Sequence, residues 1–500
     1  MTLKRIRIAL ATVVFLSLTW LFVDFTGTAH HAVGWMAKVQ LLEAVLAVNA
    51  VVIAALVVLT LVFGRIYCSV ICPLGIMQDI FGKFGMKAKK NRYTYSKEVK
   101  WLRYPVLAVF VAALAVGGGT LVHLLAPYSA FGRIATNLLQ PVWQAGNNVL
   151  AQVAAYYDSY AFYHSEIWLR SVPSLVIAAV TLVVLAVLAW RNGRTYCNTV
   201  CPVGTVLSLF SRFSWLKVRF DADKCRNCSL CTKNCKASCI DYKTHTVDYS
   251  RCVVCGDCLS QCKFGALKYC GGNGANGATK PTDSTKPTAP TDTTRRSFLL
   301  ASALMTTAAM AQQKEKMMDG GLAEIQDKVA PTRQTPLTPP GSLSAQNLSQ
   351  HCTGCQLCIS ECPNEVLRPS GDWLHLMQPT MSYERGYCRP ECNRCSEVCP
   401  AGAIKPIRKE DKASTQIGHA VWIKKNCIPL TDGVECGNCA RHCPTGAIEM
   451  VPSDPDDEES AYVPAVNETR CIGCGACENL CPARPFSAIY VEGHEVHREV

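Results

Sequence analysis

Six runs of closely spaced cysteines carry most of the chemistry in this chain. Cys225, Cys228, Cys231 and Cys235 are separated by two, two and three residues, and Cys252, Cys255, Cys258 and Cys262 repeat the spacing. Cys352, Cys355, Cys358 and Cys362 repeat it again, as do Cys471, Cys474, Cys477 and Cys481, each run closed by a proline. Cys388, Cys392, Cys395 and Cys399 stretch the first gap to three residues, and Cys427, Cys436, Cys439 and Cys443 stretch it to eight. Three closely spaced thiolates wrap three corners of an iron–sulfur cubane, and the fourth cysteine of a run reaches across to a second cluster. On that rule Cys262 completes the site of Cys225, Cys228 and Cys231, while Cys235 completes the site of Cys252, Cys255 and Cys258. A disulfide framework needs no such runs, and zinc ribbons use paired Cys-x2-Cys units instead. The pattern predicts six 4Fe–4S clusters. Lys236 and Lys263 stand where proline normally follows the fourth cysteine. Cys239 and Cys270 are left over and read as spectator thiols.

A second constellation lies nearer the N-terminus. Gly64-Arg-Ile-Tyr-Cys-Ser-Val-Ile-Cys-Pro-Leu-Gly and Gly193-Arg-Thr-Tyr-Cys-Asn-Thr-Val-Cys-Pro-Val-Gly are two copies of one motif. Cysteines four apart share one side of a helix. Cys68, Cys72, Cys197 and Cys201 could therefore converge on one soft metal centre. A tetrathiolate iron or iron–sulfur site and a pair of redox-active dithiols both fit this spacing, and small packing cysteines are the bland alternative.

Positioning these thiols falls to apolar runs near Ile8–Val23, Leu41–Phe63, Pro105–Leu125 and Val172–Trp190. Each is long enough, or nearly so, to cross a hydrocarbon layer of roughly 30 Å as helix. Trp20, Phe22 and Asp24 follow the first run where small cleavage-site residues would sit, so it reads as an uncleaved helix. Segment 65–103 carries nine Lys and Arg and segment 191–219 carries five, whereas 126–170 carries only Arg133 and Arg170. The basic loops belong in the cytoplasm, so four helices start and finish inside. Both motif copies then lie at one membrane face, where repeats commonly share a site.

The expected fold is a membrane α-helical bundle with α+β ferredoxin-like domains, one holding two clusters and one holding four. Residues 1–219 form the membrane unit and 220–270 a cytoplasmic two-cluster ferredoxin. Residues 271–294 are a Gly-, Pro- and Thr-rich linker. Arg295-Arg296 before the apolar stretch to Ala311 reads as a twin-arginine export signal over 295–311, or a fifth helix, with an A-x-A pattern at Ala309–Ala311. A tether over 312–350 leads to a periplasmic four-cluster domain over 351–500. Net charge follows the same division: residues 352–500 carry −7 and residues 1–351 carry +19 within the total of +12. Opposite sides of a bacterial inner membrane explain that split better than nucleic-acid binding. No Cys-x-x-Cys-His for covalent haem occurs. His30, His31, His123 and His164 fall at outward helix ends, as candidate proton acceptors by location only.

These motifs resemble, over nearly the full length, the NapH/NapG (also MauN/MauM) family of membrane iron–sulfur electron-transfer proteins. The first 270 residues look like the NapH type and residues from about 291 like the NapG type, so the chain looks like a fusion of two polypeptides. The resemblance implies a quinol-dehydrogenase-type component of a respiratory chain, passing electrons from the quinol pool to a periplasmic reductase or cytochrome. It also implies that outer runs pair together and inner runs pair together. Cys481 would then complete the Cys352 site, Cys362 the Cys471 site, Cys443 the Cys388 site and Cys399 the Cys427 site. Two other functions fit the same residues: a conduit fed by a cytoplasmic ferredoxin without quinone, and a redox maturation or sensor factor.

Overall fold

The computed structural model describes residues 3–87, 93–221, 223–271 and 326–499. Linker residues 272–294, the twin-arginine stretch 295–311 and tether residues 312–325 lie outside them.

One main helix arises from each apolar run of the N-terminal unit: α1 (Leu3–Val23), α2 (Ala50–Phe63), α3 (Lys100–Val116) and α4 (Val172–Asn192). α1 and α4 each have 21 residues, about 31 Å of helix, and are long and apolar enough to cross a membrane. The second and third apolar runs are not single helices. Val48, at φ 53°, and the Asn49 side chain capping Val52 separate helix Leu41–Leu46 from α2. Gly117, at φ 80°, ends α3 before the short helix Gly119–Leu125. A backbone that turns left-handed cannot continue a right-handed helix, so hydropathy alone overlooks these breaks. Leu10, Val13, Leu16, Val58, Val109, Val180, Val183 and Val187 all stand exposed on the four helices. Such outward apolar flanks mark a surface facing something other than water.

The stretch 126–170, expected as an outward loop, is largely helical. Helix Pro127–Ile134 runs through a π-helical turn at Ala135–Leu139 into helix Gln140–Tyr156. All eight residues of Pro127–Ile134 are buried, packed against α4, helix Pro73–Lys87 and helix Gly119–Leu125. Arg133, Asn137, Gln140 and Asn148 break the apolar pattern that would have announced this helix.

Two ferredoxin-like units cap opposite ends of the same four helices. At one end Lys4 pairs with Asp257 at 3.0 Å, the Phe63 carbonyl accepts from Tyr269 Oη at 3.0 Å, Arg103 reaches the Ser250 carbonyl, and the Arg194 amide donates to the Lys236 carbonyl at 2.8 Å. At the other end Arg394 donates to the Thr26 carbonyl just past α1. There Ala47 lies against Gly402, Gly117 against Gln350, and Ser174 accepts from Gln356 Nε2 at 2.7 Å.

The first unit pairs strand Lys217–Phe220 with Leu267–Cys270, and Ile240–Asp241 with Thr246–Val247, all antiparallel. The second unit holds the antiparallel pairs Thr415–Trp422 with Ile489–Glu499 and Ile448–Asp454 with Asp457–Val466. It begins earlier than the expected boundary at 351. Arg333 donates twice to the Glu478 carboxylate at 2.6 and 2.8 Å, the Leu337 carbonyl accepts from the Met381 amide, and Leu337 is fully buried. The end of the predicted tether is therefore part of the domain.

Candidate metal centres

In each run of regular spacing the backbone turns left-handed two and four residues after the first cysteine. The pairs are Asn227 and Ser229, Val254 and Gly256, Gly354 and Gln356, and Gly473 and Gly475, all with positive φ. A β-branched residue such as Val254 pays a steric penalty there, and such outliers collect at functional sites. The alternation rolls the loop so that successive thiols face one point.

In the first unit the sulfurs group as the spacing predicts. Cys225, Cys228, Cys231 and Cys262 line one cavity, and Cys252, Cys255, Cys258 and Cys235 line another. In the second unit the grouping overturns the expected pairing. Cys362 shares a cavity with Cys388, Cys392 and Cys395, so it does not join the Cys471 site. Cys399 lies near Cys352, Cys355 and Cys358. Cys481 neighbours Cys427 and Cys439, with Cys436 beside them, and Cys443 neighbours Cys471 and Cys474. Runs adjacent in sequence pair with each other because their helices pack directly: Leu357–Ser360 on Arg394–Val398, and Asn438–Arg441 on Ala476–Leu480. The shorter connection closes at the smaller entropic cost.

Backbone amides point at several of these sulfurs. Gly354 donates to Cys352 Sγ at 3.3 Å, Ala266 to Cys262 at 3.3 Å, Ala447 to Cys443 at 3.2 Å and Ala488 to Cys481 at 3.3 Å. Such donors favour the thiolate and tune a bound cluster. Among the described residues no three His, Cys, Asp or Glu side chains close around a single ion, and that includes every ferredoxin tetrad. At three of the tetrads four thiols line one cavity, and four thiols are the donor set of a cubane.

The membrane-unit motif is symmetric in its bonding as well as in its letters. Arg65 Nη2 donates to the Cys197 carbonyl at 3.1 Å, and Arg194 Nη1 donates to the Cys68 carbonyl. Each copy thus clamps the first cysteine of the other. A Cβ on Gly75 would strike the Cys68 carbonyl, and one on Gly204 the Cys197 carbonyl, so glycine is what lets each arginine in. Pro73 and Pro202 open the helices that follow. Tyr67 Oη donates to Gln40 Oε1 at 2.9 Å, and Tyr196 Oη donates to the Leu125 carbonyl at 2.9 Å. All four thiols are buried, and Gln78 Nε2 lies 3.3 Å from Cys197 Sγ. Burial pushes the thiols of Cys72, Cys197 and Cys201 up, Cys197 to about 11, and the neighbouring sulfurs push the same way, while Arg194 and Arg65 pull Cys197 back. Buried thiols crowded like these three ionise together only around a cation. Two fully buried guanidiniums, Arg65 and Arg194, would offset the negative charge that four thiolates leave on a cluster.

The candidate histidines part company. His123 is fully buried, its ring nitrogens 2.8 Å from the Leu376 carbonyl and 2.9 Å from the Cys352 carbonyl; it seats the second unit. His30 and His31 line a cavity of about 600 Å³ together with Glu361, Arg394 and Cys392. His164 is exposed. Sequence reasoning missed Asp79, which is part-buried against Arg7, Arg194 and Lys236; Lys236 in place of a proline was the available signal. Lys236 docks the unit, with Nζ 2.7 Å from Asp79 and 3.3 Å from Asp257.

Comparison with known proteins finds 4Fe-4S domains over parts of the chain. A family described as "4Fe-4S binding domain" matches residues 46–91 and 171–221, the two motif copies, and "4Fe-4S dicluster domain" matches residues 434–484. The ferredoxin-type protein NapF of Escherichia coli is 31% identical over 163 residues, 32% of this chain and 87% of that protein. The methylamine utilization ferredoxin-type protein MauM of Methylobacillus flagellatus is 30% identical over 167 residues, 32% of this chain and 70% of that protein. The putative electron transport protein YccM of Escherichia coli is 22% identical over 227 residues, 44% of this chain and 55% of that protein.

Proposed function

The chain belongs to the ferredoxin-type iron–sulfur electron-transport proteins, and from that premise we propose that it carries electrons from the quinol pool across a bacterial inner membrane to a periplasmic reductase or cytochrome. One observation carries the reading: two ferredoxin-like units cap opposite ends of the same helices, with four buried thiols between them. Six tetrads would hold six 4Fe–4S clusters, and Cys68, Cys72, Cys197 and Cys201 a further iron–sulfur centre. A cubane exchanges one electron with little rearrangement. The residues of the chain set spacing, insulation and potential: amide donors face the sulfurs, Arg65 and Arg194 supply positive charge, and the docked units fix the distances. The first unit would face the cytoplasm and the second the periplasm, delivered there by the twin-arginine stretch. The acidic second unit suits a basic partner.

EPR-monitored titration of membranes with quinol tests this. Quinol should reduce clusters in both units, and replacing Cys68, Cys72, Cys197 and Cys201 by serine should isolate one group from the other. If quinol reduces no cluster, the quinol reading fails. A second reading draws on the exposure of Cys228, which leaves one corner of the first site open to a soluble donor. It expects a reduced cytoplasmic ferredoxin to reduce the second unit in vesicles lacking quinone.

A further inference from the structure

Cys239 stands against a candidate cluster site. It is buried to 1% exposure and lines the same cavity as Cys235, Cys252, Cys255 and Cys258. Its Sγ lies 3.5 Å from Cys235 Sγ, and the Cys252 sulfur is its second hydrogen-bonding partner. Five thiols therefore face a site whose cubane takes four.

Local backbone places it there. The Ser238 amide closes a turn onto the Cys235 carbonyl at 2.9 Å, and Ser238 itself sits at φ 51°. That left-handed conformation is uncommon for serine, and the side chain that follows it lines the cavity. The Cys239 carbonyl then accepts from the Asp248 amide at 2.8 Å, fixing the residue at the start of strand Ile240–Asp241. Proline after Cys235 would remove the side chain that anchors this turn; Lys236 instead holds Asp79 and Asp257. Cys270 is the contrast: it pairs with Lys217 in a strand and lines neither cavity of the first unit.

We propose that Cys239 is a reserve ligand of the second cluster site in the first ferredoxin unit, placed to replace Cys235 at the fourth corner. The exchange is a ligand substitution: one iron–sulfur bond, to Cys235, is lost and one, to Cys239, forms. A proton passes from the incoming thiol to the outgoing thiolate, and no electron moves. The inference rests on the cluster reading above.

The test uses the full chain in membranes, as wild type, Cys235→Ala, Cys239→Ala and the double variant. Iron and acid-labile sulfide per chain are measured together with the EPR spectrum of the reduced clusters. Cys235→Ala should keep the wild-type iron content with a shifted signal from one cluster. Cys239→Ala should also keep it, and the double variant should lose one cubane of iron. Loss of one cubane in Cys235→Ala, or disappearance of that variant from the membrane, overturns the proposal, because a site completed by Cys239 keeps both cluster and fold. Loss of a cubane in Cys239→Ala also overturns it, since Cys239 would then be the primary ligand. The wild-type measurement separates the two hypotheses: low iron in the unmodified chain defeats the cluster reading itself.

Discussion

Lys236 Nζ lies 2.7 Å from Asp79 Oδ2, joining the residue after a cluster cysteine to a helix of the membrane unit. Burial alone would raise the Asp79 carboxyl, yet Arg194, Lys236 and Arg7 hold it well below the usual carboxylate range. A depressed acid stabilises the fold above its unfolded value, near pH 4, and that stabilisation fades only as the pH falls further.

Asp79→Asn should therefore leave three buried cations facing a neutral amide. Breaking a buried ion pair from one side costs about 3–5 kcal/mol. At pH 7 the first ferredoxin unit should unfold well below the wild-type temperature, followed by the loss of its visible absorbance. An unchanged midpoint would remove Asp79 as the anchor.

Pairing of consecutive runs makes a spectroscopic prediction. Cys362→Ala should abolish the cluster of Cys388, Cys392 and Cys395 and remove magnetic coupling from the Cys352 cluster, leaving the signals of the Cys427 and Cys471 clusters intact. A change at the Cys471 cluster instead would restore the outer-with-outer arrangement.

The glycines that admit the crossed arginines should not tolerate a methyl group. Gly75→Ala and Gly204→Ala each force a Cβ onto a cysteine carbonyl, and overpacking of this kind costs about 1–3 kcal/mol. Gly146, where a Cβ meets nothing within 4 Å, supplies the control. The melting temperature in detergent should fall for the first two variants and stay level for Gly146→Ala.

Acid should loosen the second unit through His497, which bonds to Thr338 at 2.8 Å. Burial, then the nearby His494, lowers its pKa to about 4. A histidine kept neutral by the fold contributes stability that is complete above its unfolded value near 6.5 and declines as the pH falls toward 4. The unfolding midpoint of wild type should drop over that interval, and His497→Gln should flatten the drop.

Cysteine spacing alone determined the number of tetrads, the crossed grouping of thiols in the first unit and the symmetry of the two motif copies, because a closely spaced run of cysteines is a local object. Helices α1 and α4 were legible for a similar reason: an uninterrupted apolar run says its own length. Tertiary structure decided what depends on residues far apart. Which fourth cysteine serves which site follows from short helices packing across a chain reversal, and spacing within a run is silent on that. Arg65 clamping Cys197, Asp79 gathering three cations, and helix Pro127–Ile134 sinking polar residues into the bundle all need partners that the fold supplies. Cys239 belongs with these, since nothing in its spacing shows that it lines the cavity.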